Sequence, residues 1–228
     1  MIHFTSLEES GLSLAAMSDK RDGNCGSRPE AYETATAFLN NLGLCPDQLF
    51  RIKQVHGIRI VDVTDISAVT RNHFPEADGV ITNCPGVPLG ISVADCAPVL
   101  LYNPVQKAIA ALHSGREGVR QNIAAAGIHS LCATYGGYPD QLLALIGPCA
   151  GVCCYEVSQE MAQIWTSAGL PAKKRNLNLP LAIQQQLENC GVIRHNIAVV
   201  PHCTICGGCF YSYRADKTSH RNLVIVML

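Results

Sequence analysis

The stretch ADGVITNCPGVPLGISVADCAPVLLYNPVQKAIAALHSG, residues 77 to 115, decides the fold. It is a series of short apolar runs cut at Pro85-Gly86, Pro98 and Asn103-Pro104, which is the pattern of three or four successive strands joined by turns. Upstream, LFRIKQVHGIRIVDVT (49 to 64) alternates and is rich in Ile and Val. It predicts one strand or two, with His56-Gly57 at an interruption. Before it, Pro29 followed by EAYETATAFLNNLGL has helical spacing and a stop at Gly43.

Downstream, VRQNIAAAGIHSLCATYGG (119 to 137) has helical composition, and LLALIGPCAG (142 to 151) returns to a strand that ends in a turn. SQEMAQIWTSAGL and LPLAIQQQLENCGV predict helices each closed by a glycine, while IAVVPHC and the final NLVIVML predict strands. Helices and strands are interspersed without a regular βαβ beat. An α+β fold with mixed layering is therefore expected rather than a doubly wound sheet. No repeat and no Pro/Gly/Ser-rich linker divides the chain, so one domain spanning 1 to 228 is expected.

Composition narrows the function. Apolar residues make up 48% and charged residues 15% of the 228, which excludes disorder. The formal net charge is −1, and the 17 Lys and Arg are scattered rather than gathered into a stripe, so nucleic acid is not the expected partner. No run approaches the roughly 18 apolar residues of a membrane span, and the opening MIHFTSLEES has no secretory pattern; a cytoplasmic location is expected. Twelve cysteines in such a chain are too sparse for a disulfide scaffold and are expected to be thiols or ligands.

Three residues stand at strand ends where distant segments can converge: His56 in QVHG, Cys96 in VADC and His113 in ALHSG. Imidazole and thiolate are preferred zinc ligands, and three protein ligands leave a fourth position for water or substrate. Asp95, beside Cys96, is the candidate to orient a ligand, or else a turn residue. HSGREG (113 to 118) lies between a strand and a helix, so its amides, with Gly115, Arg116 and Arg120, are candidates to receive a phosphate, against the alternative of a tight turn. PHCTICGGCF offers Cys203, Cys206 and Cys209 as a second possible metal site, although only one knuckle is visible there. The IGPCAGVCCYE loop, with Cys149, Cys153, Cys154, Tyr155 and Glu156, is a candidate pocket wall or second metal site, with a structural loop of buried thiols the favoured reading.

Taken together, QVHG, ADGVIT, SVADCAPVLLYNP, ALHSG, IGPCAGVCCYEV, NLPLAIQQQLENCGV, CTIC and FYSYRADKTSHRNLVIVML resemble, in order, the YfiH or laccase-domain family. The resemblance implies an α/β/β/α sandwich and a zinc held by His56, Cys96 and His113, with copper as the alternative metal. It also implies phosphorolysis of adenosine, inosine and methylthioadenosine, deamination of adenosine and, in some members, copper-dependent phenol oxidation. Purine nucleoside and phosphate are then the expected partners.

One departure bears on activity. The family pattern HAGWRG reads HSGREG here, with Arg116 in place of Trp and Glu117 in place of Arg. A carboxylate beside a phosphate pocket repels the anion, and Arg116 or Arg120 is expected to restore the charge. A metal-binding protein without turnover is the rival reading. So is a hydrolase with Cys96 as nucleophile and His56 or His113 as its base. Near the start, Ser18 stands where the family has Asn.

Overall fold

The computed structural model describes residues 1–64 and 74–228. Two sheets form the interior. One runs in the order β1 (Ile2–His3), β2 (Leu14–Met17), β13 (Asn222–Met227), β6 (Leu89–Val93) and β3 (Phe50–Arg51). The other runs β12 (Ile197–Val199), β9 (Leu143–Ile146), β7 (Ala97–Asn103), β8 (Ala108–Ser114), β5 (Gly79–Thr82) and β4 (Ile60–Asp62). A small hairpin joins β10 (Ala172–Lys173) to β11 (Asn176–Leu177).

The decisive stretch thus supplies four strands, β5 to β8, but it does not keep them in one sheet. β6 pairs with β13 and β3, whereas β5, β7 and β8 pair with one another in the second sheet. The turn at Asp95-Cys96 therefore carries the chain from one sheet to the other. His56 occupies the corresponding position between β3 and β4, which also lie in different sheets.

Both faces of β7 and β8 are buried along their whole length. A strand covered on both sides reads as a continuous apolar run, which is what VLLY and AIAAL show. Alternation assigns the faces. Leu100, Tyr102, Ile109 and Ala111 pack between the sheets with Ile91, Val224 and Val226, whereas Val99, Leu101, Ala110 and Leu112 pack toward helices. A third cluster sets Leu14, Ala16, Leu223 and Ile225 under Phe38 and Leu39. Each fully buried Leu or Ile contributes about 1.5–3 kcal/mol, so these three layers dominate stability.

The helices complete the sandwich. α1 (Thr5–Glu8) is a single turn, and α2 (Tyr32–Asn41) covers the outer face of the first sheet, ending before Gly43 at φ +72°. α3 (Arg116–Arg120), α4 (Ile123–Tyr135), α5 (Gln159–Ser167) and α6 (Leu179–Asn189) belong to the second sheet's outer face, and α7 (Tyr213–Asp216) precedes β13. The expected α/β/β/α layering is what the chain adopts.

One predicted helix is two. Asn122 adopts φ +65° and its side chain accepts the N–H of Ala125, so it caps α4 and separates it from α3. Asn tolerates the left-handed conformation, and that local geometry outweighs the helical composition around it.

Candidate metal centre and cleft

β-Sheet register builds the site. β7 and β8 are antiparallel with Ala97 opposite Ser114 and Pro98 opposite His113, so Cys96, one residue before β7, sits at the end of β8. β5 and β8 pair with Gly79 opposite Leu112, which sets Asp78 against His113. The backbone N–H of His113 donates to the carbonyl of Asp78 at 2.7 Å, fixing that alignment.

Asp78 is the organising group, and it is fully buried. Its Oδ1 accepts from Nδ1 of His113 at 2.8 Å and from the backbone N–H of His56 at 2.9 Å. Its Oδ2 accepts the N–H groups of Val55 and Gly57, at 3.2 and 2.6 Å. One carboxylate therefore holds the QVHG loop and orients His113. His56 pays for this with a left-handed backbone, φ +63°, which only a well-anchored non-glycine residue sustains.

Sγ of Cys96 and ring nitrogens of His56 and His113 lie within 4.8 Å of one another. The two imidazoles meet edge to face with centroids 4.9 Å apart. Because Nδ1 of His113 faces a carboxylate, Nε2 is the nitrogen left to ligate. Burial opposes ionisation of Cys96, yet the neighbouring His113 and His56 bring its pKa down to about 6. Burial likewise disfavours a charged His113, but the Cys96 thiolate and Asp78 push it up to about 9. The donor set of two imidazoles and a readily ionised thiol fits zinc or copper, with one side of the trio left open.

Gly115 is required by this approach. A Cβ there would lie 2.9 Å from Sγ of Cys96 and 3.3 Å from Cδ2 of His56. Gly115 therefore serves close packing at the trio.

The trio lines a cleft of about 880 Å³. Its wall carries Arg28, Lys53, Arg116, Arg214, Lys217 and Arg221 against two acids, Asp95 and Glu117. A cleft lined by one sign of charge focuses its field and attracts anions. Among the described residues, Nε of Arg116 is buried without a hydrogen-bond partner. Arg214 lies over the ring of Tyr155 at 4.5 Å.

Several expectations need correcting. Arg120 is not among the residues that line the cleft. It is held by Glu117, with Nη2 2.5 Å from Oε1, in an i,i+3 ion pair on α3. That contact and Gln121 lower the pKa of Glu117 to about 2, so its charge is fixed. Asp95 finds its side-chain partners away from the trio. Its carboxylate accepts the Thr204 hydroxyl at 2.7 Å and the Arg214 N–H at 2.8 Å, and its own φ of +84° turns the chain into Cys96. The carboxylate that orients a side chain of the trio is Asp78, which the sequence reading missed. Its signal was an acid directly before a buried strand, where an unpaired charge is costly. Ser18 accepts the N–H of Leu223 and is absent from the cleft wall.

The second thiol cluster also differs from the one expected. Cys203 and Cys206 join Cys153 and Cys154, their Sγ atoms all within 4.8 Å, and Cys209 is not in that group. The CCYE loop, expected to be structural, supplies two of the four thiols.

The chain is similar over residues 4–228 to the family described as multi-copper polyphenol oxidoreductase laccase. It is 35% identical over 191 residues to a purine nucleoside phosphorylase of Streptomyces griseus, covering 79% of this chain and 74% of that one. With the corresponding protein of Streptomyces coelicolor it shares 34% over 212 residues, covering 87% and 83%. The crystal structure of the Bacillus licheniformis hypothetical protein YfiH superposes with a TM-score of 0.85 at 26% identity, over 94% of this chain and 92% of the other. Among the described residues no helix is long and apolar enough to cross a membrane.

Proposed function

The chain belongs to the multi-copper polyphenol oxidoreductase laccase family, which includes the YfiH proteins, and from that premise we propose that it is a zinc-dependent purine nucleoside phosphorylase. Adenosine, inosine and methylthioadenosine are its proposed substrates, with adenosine deamination as a second activity of the same site. The observation that carries this reading is that His56, Cys96 and His113 converge in the lining of a strongly basic cleft. The names of the Streptomyces relatives support the substrate class.

A metal bound by this trio would supply Lewis acidity at its open position. The protein's own groups do the rest. Asp78 keeps Nδ1 of His113 protonated and its ring fixed, so that Nε2 faces the trio. Arg116 offers its buried N–H to a phosphate oxygen, and Arg221, half-buried on the same wall, adds a second positive charge. Phosphate held there would attack the ribose C1′ while the bond to the base breaks, the electron pair leaving with the base. The charge missing at Glu117 is thus supplied by its neighbour Arg116 and by Arg221, distant in sequence, and Arg120 serves instead to neutralise Glu117.

Chromatographic turnover of adenosine and inosine, with and without phosphate, tests the proposal. Phosphate-dependent release of free base is expected, reduced more than about a hundredfold in Cys96→Ser, beyond the loss typical of an outer-shell partner. Phosphate-independent conversion of adenosine to inosine would leave deamination alone. Oxygen uptake with a phenol and copper, without nucleoside turnover, would favour the oxidase reading instead.

A further inference from the structure

We propose that Cys153, Cys154, Cys203 and Cys206 form a second metal site, a closed set of four thiolates that binds one zinc ion and fixes the wall of the cleft. The four Sγ atoms lie within 4.8 Å of one another, and those of Cys153 and Cys206 are 3.8 Å apart. Tetrahedral zinc with Zn–S bonds of about 2.3 Å separates its sulfurs by about 3.8 Å, so the cluster is already close to the size of that shell.

The scaffold around the thiols is built rather than accidental. Residues 149 and 203 form a parallel bridge, with the N–H of Thr204 donating to the carbonyl of Cys149 at 3.0 Å. The N–H of Gly151 donates to Sγ of Cys203 at 3.3 Å, a contact that stabilises a thiolate. Gly207 closes the Cys203-to-Cys206 turn by donating to the carbonyl of Cys203 at 2.9 Å. A Cβ at Gly207 would lie 2.5 Å from that same carbonyl oxygen, so only glycine fits. Asn176 holds the other loop through the carbonyl of Val152 at 2.9 Å.

Donor chemistry chooses the metal. Four sulfurs without oxygen or nitrogen exclude magnesium and calcium, and a tetrahedral S4 shell is a zinc geometry. Four protein ligands leave no open position, which makes the site structural. On binding, the thiols surrender their protons to solvent and no electron is transferred. The site also reaches the cleft. Thr204, next to Cys203, donates to Asp95, and Tyr155, next to Cys154, lines the wall.

The proposal is independent of the nucleoside reaction, because its readout is metal content. Elemental mass spectrometry of the purified chain should give two zinc ions per molecule, falling to one in Cys153→Ser/Cys206→Ser and to one in Cys96→Ser. As a second measurement that does not need the double variant to fold, Cys96→Ser loaded with cobalt(II) should show the thiolate-to-metal charge-transfer bands of a tetrahedral sulfur site. In the same variant loaded with zinc instead, the four cluster cysteines should resist maleimide until a chelator is added. One zinc per wild-type chain, lost completely in Cys96→Ser, would overturn the proposal. So would a disulfide within the cluster in protein kept under reductant, or iron in place of zinc.

Discussion

Two groups of cysteine-containing side chains, both of a size to hold a metal, differ in every respect that matters for chemistry. The trio of His56, Cys96 and His113 mixes nitrogen with sulfur, leaves one side open and lies under a basic wall. The cluster of Cys153, Cys154, Cys203 and Cys206 is all sulfur, closed by its own fourth ligand and set at the surface, where Cys153 and Cys206 are exposed. The first is positioned by sheet register and one buried carboxylate. The second is positioned by two loops and their glycines. Ligand number and the charge around the ligands, rather than the presence of cysteine, separate a site suited to turnover from one suited to holding the fold.

The sharpest test of that contrast uses metal-free protein under a phosphine reductant. Imidazoles hold Cys96 near a pKa of about 6 against the effect of burial, whereas its hydrogen bond with Cys206 and then burial raise Cys154 to about 12. At pH 7 Cys96 is then mostly thiolate and Cys154 is not. Allowing for the weaker nucleophilicity of a low-pKa thiolate, Cys96 should alkylate about a hundredfold faster, measured by peptide mass spectrometry over time. Equal rates would erase the electrostatic difference between the two sites.

Next in size is Asp78→Asn. Losing the carboxylate that orients His113 should cost about 10- to 100-fold in metal affinity at the trio, measured by competition with a chelator, and leave zinc at the four thiols in place. A loss at both sites would mean that Asp78 supports the fold as a whole.

The smallest effects concern the anion wall. Glu117→Arg replaces the carboxylate by a cation, and the half-exposed position limits the gain to about two- to fivefold in the KM for phosphate. Arg120→Ala should change that KM by less than about twofold, since its guanidinium is engaged with Glu117 on the helix surface. A large effect of Arg120→Ala would return that residue to the cleft.

Much of this was legible in the sequence because it is local. Apolar runs broken by Pro and Gly gave the four strands of 77 to 115, Gly43 marked the end of α2, and Cys96 and His113 stood at strand ends, whereas His56 lies within the loop between β3 and β4. Three matters required the tertiary structure. Asp78 stands out locally as an acid before a buried strand, but its partner His113 is set only by the register of β5 against β8. Cys153 and Cys154 meet Cys203 and Cys206 only because a bridge joins loops some fifty residues apart. The basic wall is gathered from segments near residues 28, 53, 116, 214 and 221, so a chain of net charge −1 conceals a strongly positive cleft. Sequence fixes which side chains each turn and strand end presents, through short-range sterics and periodicity. Which of them face one another is set by strand pairing and layer packing, whose energies depend on partners far along the chain.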